Sequence, residues 1–126
     1  RIEFIEGDLL APLPGPVGIL MANLPYVRQD QLPLWCGAAQ VGLAWEPLAA
    51  LDGGEDGLDV IRRLLADAPR YVQAGGLLLF EIGSWQGEEA VQLAATAFPT
   101  ATVTLQRDLA RLPRMVMVRH AGSQPT

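Results

Sequence analysis

The sequence predicts an α/β fold, a parallel sheet with helices on its faces. Two observations carry this. Apolar runs of strand length, "VGILMAN" and "LLLFEIG", lack the alternation of a half-exposed strand, so both faces are expected to be buried. Segments with helical periodicity follow them in the order strand, helix, strand, helix.

The opening "RIEFIEGD" reads as a strand over about residues 2–6, stopped at Gly7-Asp8. Such an abrupt start, with no leader-like segment, leads us to expect a piece of a longer protein. "APLPGPVG" holds too many prolines for a helix. Val17–Met21 is then expected as an interior parallel strand, ending at Asn23-Leu24-Pro25-Tyr26. From Val27 to Gly54 the chain is irregular, and a loop of that length inside a compact domain is usually functional or disordered. Leu58, Ile61, Leu64, Leu65 and Ala68 recur at helical spacing, with Glu55 and Asp56 at the positive end and Gly75-Gly76 as the stop. "LLLFEIG" follows as a strand. "SWQGEEAVQLAATAF" is predicted as a second helix, with Ser84 as N-cap. "ATVTLQRDL" and "RMVMVRH" form the last two strands, and their short connection implies an antiparallel pair. One domain is expected over residues 1–120, with 121–126 as a flexible tail.

Composition narrows the function. Half of the 126 residues are hydrophobic and no apolar run reaches membrane-helix length, so no membrane partner is expected. The net charge of −5 disfavours direct nucleic-acid binding. One cysteine, Cys36, allows no internal disulfide and points to a reducing, cytoplasmic setting. With one His (His120) beside that cysteine, the chain has no metal-ligand cluster, and a nucleophilic triad would need His120 near the tail.

The chemistry therefore concentrates at strand ends, where ligands bind in open α/β sheets. Asn23 offers one acceptor oxygen and two donors. Pro25 lacks an N–H and stiffens the turn, so main-chain carbonyls can face outward. Tyr26 adds an aromatic face. With Leu24, these residues suit a planar NH2 group held by two acceptors against a ring, with rate arising from orientation and preorganised electrostatics. As a bare string, the tetrapeptide is equally a strand-to-turn exit. Trp35, Trp45 and Trp85 could frame a pocket or simply pack, and Trp45 stands nearest the site in sequence. Glu81 ends its strand and could face the site. Cys36 reads as a loop or core thiol, and Met115 and Met117 as strand packing.

"ANLPYV", then "WEPLAALDGGEDGLDVIRRLL", "GGLLLFEIGSWQG" and "DLARLPRMVMVR", resemble the HemK/PrmC family of peptide chain release factor glutamine N5-methyltransferases. The resemblance runs from Ile2 to Arg119, and the block Glu46–Leu58 is its more specific mark. It implies a partial class I, Rossmann-like methyltransferase sheet. The family order is 3-2-1-4-5-7-6, of which this chain would hold strands 3 to 7 in a three-layer αβα arrangement. It implies S-adenosylmethionine as methyl donor and the Gly-Gly-Gln loop of a release factor as substrate. Asn23, Pro25 and Tyr26 would be the catalytic residues, and with Leu24 they would bind the glutamine amide. Asp8 and Leu9 would border the donor's adenine, with Asn23 near its methyl group.

Two departures qualify this. Leu24 stands where the family usually has Pro, and Asn-Leu-Pro-Tyr also occurs in rRNA adenine dimethyltransferases, so adenine-N6 methylation of rRNA or DNA is one alternative. A non-catalytic assembly module is another. No Gly-x-Gly-x-Gly loop follows a first strand, so weak or absent cofactor binding and an inactive chain are expected. Without strands 1 and 2, the run Val17–Met21 would have an open edge, covered either by "RIEFIEG" or by a second chain.

Overall fold

A computed structural model describes residues 1–35 and 47–122. Cys36, Trp45, Glu46 and most of the expected tail lie outside the described residues, as does the Trp35 side chain.

Four strands form one sheet: β1 (Val17–Ala22), β2 (Val72–Glu81), β3 (Thr102–Arg107) and β4 (Pro113–Arg119). Their spatial order is β1-β2-β4-β3. β1 and β2 are parallel, while β4 runs antiparallel to both neighbours. That is the 4-5-7-6 portion of the expected pattern, with the reversed last strand in place. A short helix, α1 (Leu32–Trp35), and 3-10 turns at Gln29–Gln31 and Leu48–Ala50 interrupt the long loop. The two main helices are α2 (Asp59–Tyr71) and α3 (Gly87–Ala97).

The helical spacing predicts the buried face of α2 correctly: Ile61, Leu64, Leu65 and Ala68 are buried, and Leu58 is buried just before it. Asp56 accepts from the Leu58 main-chain N–H at 3.0 Å and pairs with Arg62, which ties down the first turn. These apolar side chains meet Leu78, Phe80, Val116 and Val118, which point from the sheet towards the helices. Ala90 and Ala94 of α3, with Phe98 just after it, complete the core.

Several expectations are corrected. Residues 1–6 form no strand; Ile2 and Phe4 are exposed, and the chain turns at Gly7–Leu13 through Ala11 N–H to Asp8 O and Leu13 N–H to Leu10 O. A strand needs a neighbour to satisfy its main chain, and none stands beside this segment among the described residues. "RIEFIEG" therefore does not cover β1. Nor is β1 interior: it is an edge strand, with Ile19 61% and Met21 74% exposed.

α2 and α3 pack on one another and on the same sheet face. Among the described residues no helix of comparable length covers the other face, so the described layers number two and the expected third is not among them. Gly75-Gly76 does not end the helical unit. α2 passes directly into β2 at Val72, and the glycines form a bulge where the register jumps from Val17↔Val72 to Ile19↔Leu77. Gly75 has φ +80°, and a Cβ on Gly76 would lie 2.7 Å from Gly18 O, so both positions require glycine. Ser84 does not cap α3; Ser84–Gln86 is a 3-10 turn and Gln86 occupies the N-cap position.

Candidate functional site

β1 ends at Ala22, and Asn23-Leu24-Pro25-Tyr26 leaves the sheet at its carboxyl edge. The four residues divide by environment. Leu24 is buried in the core, so its role is anchorage rather than contact with a ligand. Asn23 is exposed, and its carboxamide makes no hydrogen bond among the described residues. Pro25 and Tyr26 are half-buried. Asn23 borders a cavity of about 310 Å³ with Met21, Leu79, Glu81 and Met115. The strand pairing explains this grouping: Met21 opposes Leu79, and Glu81 opposes Met115.

The Tyr26 ring stands between polar and aromatic neighbours. Burial, and then the Glu81 carboxylate, push its phenol above the usual value, while Arg114 pulls the other way. Trp85 meets the ring edge-on, with centroids 6.2 Å apart and planes at 67°. Among the described residues the tryptophan beside the site is Trp85; Trp45 and the Trp35 side chain lie outside them. Glu81 does face the site, as its place at the strand end suggests.

The main chain after Tyr26 is clamped by the glycine-rich block. Val27 N–H donates to Leu51 O at 2.9 Å, Gly53 N–H to Val27 O at 2.8 Å, and Gln29 N–H to Gly54 O at 3.0 Å. A Cβ on Gly53 would lie 2.8 Å from Tyr26 Cα. The "LDGGEDGL" block is therefore a bracket for the Asn23–Tyr26 turn, which explains in physical terms why the two stretches occur together. Gln86 adds a third support. It is buried, its Oε1 accepts from Gly83 N–H, and its Nε2 donates to Tyr26 O and Gly57 O. No spacing rule in the sequence points to Gln86; its one signal is its place just beyond the end of the β2 strand.

The structure does not unite all the expected site residues. Asp8 pairs with Arg63 of α2. Leu9, at φ 49°, packs against the core. Neither lines the cavity beside Asn23. Two other cavities are larger. A polar one of about 680 Å³ is lined by Arg28, Asp56, Arg62, Trp85 and Gln86. An apolar groove of about 600 Å³ runs between α2 and α3 and touches none of the expected site residues, so its size says nothing about the chemistry. Among the described residues no cluster of His, Cys, Asp or Glu could hold a metal ion, and no helix is long and apolar enough to cross a membrane.

Sheet order and strand-end site together define a mixed α/β chain whose four-stranded sheet is that of a partial Rossmann-like fold. No family model matches the chain. It is 37% identical to a release factor glutamine methyltransferase of Bacillus cereus over 119 residues, covering 92% of this chain and 41% of that protein. It is 34% identical to one of Gloeobacter violaceus over 118 residues, covering 93% and 40%. It is 44% identical to one of Moorella thermoacetica over 95 residues, covering 75% and 32%. The crystal structure of a release-factor-specific protein-(glutamine-N5) methyltransferase from Alicyclobacillus acidocaldarius superposes with a TM-score of 0.48 at 18% identity, over 84% of this chain and 82% of that one.

By sequence the chain is similar, over most of its own length, to part of the release factor glutamine methyltransferases. It spans about 41% of the length of the first of these relatives.

Proposed function

We propose that this chain supplies the amide-holding part of a protein-(glutamine-N5) methyltransferase that acts on the Gly-Gly-Gln loop of a peptide chain release factor. The observation that carries this reading is the exposed carboxamide of Asn23, without a hydrogen bond among the described residues, on a turn beside a small cavity. An amide nitrogen is a weak nucleophile because its lone pair is delocalised into the carbonyl. Asn23 Oδ1 and a main-chain carbonyl near Pro25 would accept its two N–H groups. Tyr26 would pack on the amide plane. Two acceptors favour the positive charge that grows on nitrogen as a new bond forms, and fixed geometry removes the cost of orienting them.

The methyl source in this reading is S-adenosylmethionine. The described residues do not fit it as a set, because Asp8 is engaged with Arg63 and Leu9 is packed against the core. No step is therefore assigned to the donor, and most of its binding is attributed to polypeptide beyond this chain. On that view the chain alone binds the donor weakly or not at all and is inactive. The reading places the protein in the cytoplasm. A second proposal concerns association: β1 leaves an apolar edge strand exposed, and a second chain would cover it.

The test is methyl transfer by this chain joined to the remaining length of a relative. The expected acceptor is a release factor rather than rRNA or DNA. Asn23→Ala should cut transfer at least about a hundredfold with donor binding largely kept. Undiminished turnover would remove the assigned role, and methylation of nucleic acid alone would replace this reading with the adenine-N6 one.

A further inference from the structure

We propose that Gln86 is the positioning residue of the amide-holding turn, setting the direction of the Tyr26 carbonyl and through it the ring. The inference rests on the reading of Asn23–Tyr26 given above. Gln86 is 2% exposed, a polar side chain buried beside the core at the wall of the polar cavity that Arg28, Asp56 and Arg62 also line. A residue that merely filled this space would be cheaper as an apolar one, since a buried amide is tolerated only when it is hydrogen-bonded. The three bonds it makes go to three separate segments. Oε1 accepts from Gly83 N–H at 2.9 Å in the turn after β2. Nε2 donates at 3.1 Å to Tyr26 O, at the exit from β1, and at 3.1 Å to Gly57 O, in the glycine-rich block. The orientation of the amide follows from its partners, because the reverse assignment would set an oxygen against two carbonyl oxygens.

The neighbouring chain is shaped around this contact. Gly57 sits at φ +82°, and a Cβ there would lie 2.6 Å from Gln86 Nε2. The preceding residue, Trp85, touches the Tyr26 ring edge-on. One short turn thus holds both the carbonyl and the ring of Tyr26. A fully satisfied buried polar network of this kind specifies one geometry where apolar packing would allow several.

Gln86→Met and Gln86→Glu in this chain test the idea. Met removes all three bonds. Glu keeps an acceptor for Gly83 but places an oxygen against the two carbonyls. The probe is a capped peptide containing Gly-Gly-Gln, titrated well below the thermal midpoint, with the Tyr26 ring signals followed by NMR. We expect the Tyr26 signals to shift in both variants and the peptide Kd to rise about tenfold, the change produced by losing one hydrogen bond of this kind. A role confined to stability would lower the midpoint and leave ring and affinity unchanged, and that result overturns the inference. Unfolding of both variants overturns it too, because Gln86 would then be a core residue and not a positioning one. If the unmodified chain does not bind the peptide, the amide-clamp reading fails separately. The ring signals then decide for Gln86 alone: a shift supports it and no shift overturns it.

Discussion

Gly57 and Tyr26 approach so closely that a Cβ on the glycine would stand 2.5 Å from the carbonyl oxygen of the tyrosine. The obstacle is main chain, which cannot swing aside as a flexible side chain would. The φ of +82° adds strain for any other residue. Gly57→Ala should therefore cost about 2–3 kcal/mol, although the substitution adds a single methyl group. Urea unfolding followed by circular dichroism would measure it; a loss below half that value would mean that the Tyr26 turn can give way.

The Tyr26 phenol gives a prediction in pH. Burial and then Glu81 raise its pKa above the ordinary value of about 10. The stability linked to it is fully present below pH 10 and is lost as pH rises through the raised, folded-state value. Glu81→Gln removes a negative charge that opposes phenolate, so the titration should move down towards the ordinary value. Ultraviolet absorbance in a Tyr71→Phe background reads it directly. A midpoint that stays put would show that Glu81 does not act on the ring.

Phe80 is fully buried where β2 meets the helices. Phe80→Ala should cost about 3–5 kcal/mol, a large share of the stability typical of a domain this size. The fall in the denaturation midpoint checks this, and a near-neutral result would mean that the core collapses readily into the space.

Ile19 sits on the open edge strand and is 61% exposed. Lysine at such edges opposes strand pairing between chains. Ile19→Lys should leave folding stability within about 0.5 kcal/mol and lower the apparent mass in light scattering at high protein concentration. An unmodified chain that stays monomeric would dispose of the association.

Much of the fold could be read from periodicity. The α2 stripe from Ile61 to Ala68 and the antiparallel close of β3 and β4 were both legible, because burial on one face leaves a pattern in the sequence. The open edge of β1 was expected from the resemblance, but the apolar run by itself pointed to an interior strand. A continuous apolar run reports what a strand would bury if both its neighbours were present, and here it has one. Strand-like residues at Ile2, Phe4 and Ile5 fail for the same reason: β propensity is realised only against a partner. At the site, Asn23 and Tyr26 stood out by residue type and by their place after an apolar run. Gln86 did not, since its importance lies in partners 29 and 60 residues away in sequence. Asp8 was legible as a residue at the end of an expected strand, but its pairing with Arg63 depends on how α2 lies across the turn.

The order β1-β2-β4-β3 also governs how the chain can assemble. Among the four described strands, β3 has no partner until β4 slots between it and β2, and β4 is the last of the four to leave the ribosome. Until residue 119 has emerged, the nascent chain can form a two-stranded ribbon with its helices but cannot close the sheet. The pairing of β2 with β4 spans some forty residues, so it belongs to the slower class of contacts. A half-made chain would display β2 with one bare side, a template for the wrong neighbour. The middle of this sheet is its last part to be translated.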